Sequence, residues 1–418
     1  MALPGVRPLA SATLLLAAAF LLPAPARARP PGEPDPGVFE EAWRLFRERF
    51  YRRDLRGVDW KAAGERHRPK ALRARTQRDV HEAILDLLAE LKASHATVVS
   101  DQVYRRFYEA EGKSQLVPPP PQFGLQLVRL EEGFFVGHVL FGSPAEAAGA
   151  KRGDRVLSVD GRLPDPRDMF ALGYDSGLGG PRAYRLRCGE AGSRTVLGLE
   201  RFRDPKYGRL TVTLTAVPWN EVEAARASYH EFAVHGAQVA YFRLYHLLSR
   251  DVVLLLAERL ARSRAEAFVL DLRGMGGRAP LVDEVLSFFD RNGPGRALWE
   301  RPAVALIDGS SRSAKEVLAW GWRSRGVGPL VGRRTAGAIL GAQFARLSDG
   351  SWLMIPVMDM RSATGGVVVE GKGIAPDVEV AGDLRWARGR DEILAKGLEV
   401  AAERALAARR AGRRHGWH

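Results

Sequence analysis

The chain has 418 residues, of which 46% are hydrophobic and 27% charged, with a formal net charge of +14. These are values of a folded protein with a real core, and they exclude a disordered chain. Cys188 is the only cysteine, which excludes an internal disulfide and a thiolate metal cluster, and the arginines are scattered over every segment instead of interleaving with aromatics on one element, so no nucleic-acid surface is expected.

At the start, Arg7 precedes the apolar residues 14–22, and Ala26-Arg27-Ala28 has the small-x-small form of a signal-peptidase site. Residues 1–28 are therefore read as a signal peptide and the mature protein as exported, periplasmic or secreted. The apolar run is far short of the roughly 20 residues that span a bilayer, so no stable membrane insertion is expected after cleavage. Residues 37–115 form a helical region. Phe39, Trp43, Phe46 and Phe50 recur at helical spacing, and a second helix starts at Thr76 in a capping position and runs through Val80, Ile84, Leu87, Leu88 and Leu91. It ends at Lys92-Ala93-Ser94-His95, which puts His95 at a junction with the alternating residues 96–99. Taken alone, a histidine there reads as a solvated helix-end residue favoured by the helix dipole.

Prolines 118–121 open a β-rich domain, residues 119–218. Phe123-Gly124-Leu125-Gln126-Leu127 precedes a hairpin signal at Glu131-Glu132-Gly133. Then come a short helix at 144–148 and a strand at 156–159 ending in Asp160-Gly161. In this order the motifs resemble a PDZ domain in its circularly permuted bacterial form, over residues 121–217. The resemblance implies that amides near Phe123, Gly124 and Leu125 form a nest for a peptide C-terminal carboxylate while the peptide adds a strand. The alternative is a PDZ fold that only spaces its neighbour.

Residues 219–400 alternate between β and α patterns. Strands are read at 237–244, 267–270 and 303–307, and helices at 251–261, 281–289 and 314–322, which predicts a mostly parallel sheet covered by helices. The overall fold class is α/β: a helical N-terminal region, a PDZ-like β-rich domain and this core. Asp271-Leu272-Arg273-Gly274-Met275-Gly276-Gly277 lies at the carboxyl end of a strand, where open α/β sheets place ligands. Residues 308–316, Asp-Gly-Ser-Ser-Arg-Ser-Ala-Lys-Glu, read as strand, tight turn, helix. A serine there is either lifted out as a nucleophile or simply caps the helix. Residues 401–418 are read as a disordered basic tail.

Taken together, the motifs resemble the tail-specific, or C-terminal processing, serine peptidases, in their tricorn-like branch. The match runs from about Phe39 to Val380 and includes Ser94-His95, Tyr241-Phe242-Arg243-Leu244, the 271–277 motif, Ser313-Ala314-Lys315-Glu316, Thr335-Ala336-Gly337 and Gly373-Ile374-Ala375-Pro376-Asp377. The lysine base of the serine–lysine branch would stand at Ala338, so that design is absent in this form. The tricorn-like branch implies Ser313 as nucleophile, His95 as base, Glu370 as the group that holds the other ring nitrogen, and Ser94 as an added hydrogen bond beside them. The oxyanion would be held by the N–H of Ala314 and of Gly276 or Gly277, while Glu316 is read as structural. Ala93, Met275 and Ala314 depart from the family pattern without removing a triad member. The expected activity is hydrolysis of peptides or unfolded protein segments through an acyl-enzyme, as an endopeptidase or a C-terminal processing enzyme, with no metal or organic cofactor. The alternative is a non-catalytic PDZ-containing protein that binds peptides or other ligands on a peptidase fold. Oligomeric state is left open.

Overall fold

The computed structural model describes residues 33–113, 118–172, 183–293 and 295–415, and the segment read as a signal peptide lies outside them. In the N-terminal region, α1 (Gly37–Arg49) and α3 (Gln77–Ala89) form where the apolar spacing puts them. The Thr76 hydroxyl accepts the Asp79 N–H, and the Asp79 carboxylate accepts the Thr76 N–H in return. Between them lies α2 (Trp60–Leu72), which no apolar stripe announced and which contains Pro69. It is tied to α1 by a reciprocal pair: the Trp43 indole donates to the Trp60 carbonyl at 2.8 Å, and the Trp60 indole to the Trp43 carbonyl at 2.9 Å. The chain then leaves as the short strand β1 (Thr97–Val99).

A seven-stranded sheet follows, built from β2 (Leu125–Leu130), β3 (Gly133–Val139), β4 (Arg155–Val159), β5 (Met169–Leu172), β6 (Ala183–Leu186), β7 (Arg194–Glu200) and β8 (Arg209–Thr215), with the helical turn α4 (Pro144–Ala147) between β3 and β4. The order is β5-β6-β2-β3-β4-β7-β8. This corrects one expectation. The strand that was to receive a peptide is not an edge: β2 pairs with β3 on one side and, at Leu127↔Tyr184 and Val128↔Ala183, with β6 on the other. Phe123 and Leu125 are buried, the Phe123 carbonyl accepts the Ala145 N–H, and the void beside them is about 10 Å³. At Leu127 and Val128 the chain's own strand β6 thus occupies the edge along which a peptide held at Phe123, Gly124 and Leu125 was expected to add.

The core begins with α5 (Glu221–Ser228), followed by β9 (His230–Val234), β10 (Ala237–Arg243), α6 (Arg250–Arg262), β11 (Ala267–Asp271), α7 (Pro280–Ser287), β12 (Ala303–Ile307), α8 (Ala314–Ser324) and β13 (Leu330–Gly332). Then come β14 (Gly341–Arg346), β15 (Trp352–Met358), β16 (Val378–Glu379) and α9 (Glu392–His415). The main sheet runs β9-β10-β11-β12-β13-β16, parallel except for β9. β11 and β12 are buried at every residue, which is why they read as unbroken apolar runs. One face packs against α6, α7 and α8 around Phe268, Trp299 and Trp322. The other packs against α9 through Ala401, Ala402 and Ala405. This is the second correction: residues 401–415 are not a disordered tail but the end of a helix, whose narrow alanine stripe is buried while Arg404, Arg409 and Arg410 face outward.

A separate three-stranded antiparallel sheet, β1-β15-β14, joins the N-terminal region to the core. Leu340, Leu347, Leu353 and Ile355 share one apolar cluster with α1 and α3. Among the described residues no helix is long and apolar enough to cross a membrane.

Candidate active site

Ser313 stands at the turn between β12 and α8 with φ 57° and ψ −128°, a conformation sparsely populated by non-glycine residues and costing on the order of 1–3 kcal/mol. It makes no side-chain cap, so the capping alternative does not apply to it. The neighbouring serines are engaged in the turn: Ser311 accepts the Asp308 N–H at 3.1 Å, and Ser310 bonds the Asp308 carboxylate. The strain at Ser313 is held by its N–H, which donates to the Ala338 carbonyl at 2.8 Å. The loop around Ala338 is held in turn by Glu316, whose carboxylate accepts the N–H groups of Gly337 (2.8 Å) and Ala338 (2.7 Å) and the Thr335 hydroxyl (2.5 Å). Burial pushes the Glu316 carboxyl up to about 7 in spite of these three donors. Its structural reading from sequence thus has a geometry: it aims the nucleophile's backbone.

His95 is buried, with φ 59°, two residues before β1. The third correction concerns how it meets Glu370. The carboxylate reaches the imidazole through Ser94, not directly: the Ser94 hydroxyl lies 2.9 Å from His95 Nδ1 and donates to Glu370 Oε2 at 2.8 Å. A hydroxyl has one proton, and here it goes to the carboxylate, so Nδ1 must be the N–H that donates to Ser94. Nε2 then carries the lone pair a base requires. The Ser94 N–H donates to Glu370 Oε1 at 2.8 Å, the Ile339 N–H to Oε2 at 3.1 Å, and Arg56 Nη1 approaches Oε1 at 3.7 Å. Arg56, at φ 60° after α1, was not found from sequence; nothing in its exposed-looking Arg-Arg-Asp-Leu-Arg context marks it.

The glycine loop after β11 completes the site. A Cβ on Gly276 would stand 2.4 Å from the Ser313 Cβ and 2.8 Å from the Arg312 carbonyl, so only glycine lets this backbone reach the serine. The loop is sewn to residues 245–248: the Leu247 N–H donates to Gly276 O at 2.9 Å and the Arg278 N–H to Leu247 O at 2.8 Å. Among the described residues no backbone carbonyl takes the N–H of Gly276, Gly277 or Ala314, which leaves those donors available to an oxyanion. Lys315 is fully buried and points away, donating to the carbonyls of Tyr245 (2.7 Å) and Arg273 (3.2 Å); burial, with Arg243 nearby, pushes it down to about 7. A lysine titrating near neutrality resembles a base, but its position makes it the anchor of this loop. Lys372 is exposed and Ala338 is buried, so neither provides a lysine base.

Ser313, His95, Gly276, Gly277 and Ala314 all line one cleft of about 490 Å³. Four of the chain's six methionines, Met275, Met354, Met358 and Met360, line it too. Away from it, Glu111, Glu221 and His246 bring potential metal-ligand atoms within 4.8 Å of one another. The Arg185 guanidinium already pairs with Glu221, and His246 Nε2 lies 3.1 Å from Glu111, so the cluster ties the N-terminal region and the β-rich unit to the core.

This is the architecture of a serine hydrolase: a strained serine on a strand-to-helix turn, a relay-held imidazole, and free amides in one cleft. Residues 238–380 match peptidase family S41, and residues 35–89 match the tricorn protease C1 domain. A tricorn protease homolog of Streptomyces coelicolor is 27% identical over 403 residues, covering 88% of this chain and 32% of its own length. The carboxyl-terminal-processing protease of Picosynechococcus sp. is 25% identical over 343 residues, covering 76% of each. The solved photosystem II D1 C-terminal processing protease has the same fold, with a TM-score of 0.50 at 22% identity, covering 86% of this chain and 98% of that one. Over residues 238–380 the chain is thus similar to peptidase family S41, a family of serine-type peptidases. It spans about a third of the length of the tricorn homolog.

Proposed function

We propose that this protein is a serine peptidase that cleaves peptides or unfolded protein segments. The observation that carries the reading is the chain of contacts Glu370–Ser94–His95 opening on the same cleft as the strained Ser313. Ser313 Oγ attacks the scissile carbonyl while His95 Nε2 takes its proton. The tetrahedral oxyanion is met by the N–H of Ala314 and of Gly276 or Gly277, and His95 returns the proton to the leaving amine. Water then hydrolyses the acyl-Ser313 ester by the same steps, with His95 again as base.

The signal-like residues 1–28 support export as part of this proposal. Capture of substrate C-termini by the β-rich unit is not part of it, because β6 fills that edge. A fluorophosphonate probe tests the reading: it should label Ser313 in the folded protein and leave a Ser313→Ala variant unlabelled. An unlabelled, folded wild type would favour a non-catalytic binding protein.

A further inference from the structure

The backbone of the oxyanion loop rests on a second piece of backbone. Leu247 and Gly277 pair as a short parallel bridge, and a Cβ on Gly277 would stand 2.3 Å from the Leu247 carbonyl oxygen. The N–H groups of Gly276 and Gly277 therefore follow wherever Leu247 is placed. Leu247 is in turn set by its neighbour. His246 is 1% exposed and lines no part of the cleft, yet both of its ring nitrogens are bonded. Nδ1 accepts the Leu248 N–H at 3.1 Å, which closes a tight turn around Leu247. A nitrogen that accepts carries no proton, so the ring proton is on Nε2, which donates to the Glu111 carboxylate at 3.1 Å. Glu111 belongs to the N-terminal region and also accepts the N–H of Glu221, at the start of α5, at 3.2 Å. The ring is thus pinned from outside the core, and its Nδ1 shapes the segment that carries the loop.

We propose that His246 is a positioning residue for peptide cleavage: by capturing the Leu248 N–H it fixes the Leu247 backbone, and through it aims the N–H groups of Gly276 and Gly277 at the oxyanion. This rests on the peptidase reading for the reaction, but not for the placement of the loop. His246 touches no substrate, so its effect falls on the transition state, where the oxyanion exists, and spares ground-state binding. The two bonds have separate duties. The Nδ1 bond sets the loop, and the Nε2 bond holds the N-terminal region to the core.

Two substitutions separate these duties. In His246→Asn, Oδ1 stands near the place of Nδ1 and can accept the Leu248 N–H, while the shorter side chain gives up Glu111. In His246→Gln, the terminal amide can donate to Glu111 from the place of Nε2, while nothing stands at the place of Nδ1. kcat and KM are measured with a quenched fluorogenic peptide that the wild type cleaves, folding by thermal melts, and amide exchange by mass spectrometry of segments 245–248 and 274–279. We expect kcat to fall about 10- to 100-fold in His246→Gln and less than about threefold in His246→Asn, with KM within about twofold in both. Melting temperature should run the other way, higher in His246→Gln than in His246→Asn, because the buried Glu111 keeps its partner. Exchange in both segments should rise about 10-fold or more in His246→Gln and stay near the wild type in His246→Asn. A merely structural histidine would rank turnover and melting in the same order. That result, equal kcat in the two variants, or a loss confined to KM would overturn the proposal. Should one variant fail to fold, the other still decides: wild-type kcat in His246→Gln, or a loss of about 10-fold or more in His246→Asn, overturns it. If the wild type neither takes fluorophosphonate at Ser313 nor cleaves any peptide, the peptidase reading falls, and the exchange measurement alone decides the placement of the loop.

Discussion

Ser94→Ala isolates the link between the carboxylate and the base. In the structure the hydroxyl accepts from Nδ1 at 2.9 Å and donates to Glu370 at 2.8 Å, and it does not line the cleft. In the transition state the imidazole is a cation, so the lost bond is one to a charged group, contributing about 1.5–3 kcal/mol. At about 1.36 kcal/mol per decade, kcat should fall roughly 10- to 150-fold. KM should stay within about twofold, because no substrate contact is removed. The assay is steady-state hydrolysis of a cleaved peptide, with a thermal melt to verify folding. Because Glu370 acts through Ser94, the double variant Ser94→Ala/Glu370→Ala should lose no more than the worse single variant. Turnover within about twofold of wild type in Ser94→Ala, or losses that multiply in the double variant, would refute the relay.

Gly276→Ala places a Cβ against Ser313 and displaces the loop, so the rate of fluorophosphonate labelling should fall about 10²- to 10³-fold with the fold retained. Glu316→Gln loses the buried carboxylate that aims the Ala338 carbonyl, and turnover should drop about 10-fold or more. Its folded pKa is raised to about 7, so the wild type binds a proton more tightly than the unfolded chain between about 4.5 and 7. Wild-type stability relative to this variant should therefore decline as pH rises through that window, as read by melts. Lys315 has the opposite sense: its folded pKa is lowered to about 7, so its charged form is disfavoured in the fold, and the wild type should gain stability relative to Lys315→Met from about pH 7 towards 10.

Much of this site was legible because its parts sit where local chemistry concentrates: a serine at a strand-to-helix turn, a histidine at a helix exit, glycines after a buried strand. Elements with a strong period, such as α1, α3, β11 and β12, were found within a residue or two at most ends. What was missed has physical reasons. The buried face of α9 is made of alanines, too weakly apolar to stand out among its arginines, and α2 is held by two indole hydrogen bonds that no hydrophobic stripe foretells. The Ser94 relay turns on which proton goes to which oxygen, and motif spacing carries no such information. The closed edge of β2 depends on a strand more than fifty residues away, a pairing that the local pattern of either segment does not encode.

Ser94 and Glu370 lie 276 residues apart in sequence, and the pairing of β1, just after Ser94, with β15, upstream of Glu370, helps to bring them together. Three residue pairs, Thr97↔Met354, Val98↔Leu353 and Val99↔Trp352, make that junction. A ribosome makes Ser94 and His95 early and Glu370 late, so a growing chain passes through most of its synthesis before the carboxylate that completes the relay exists.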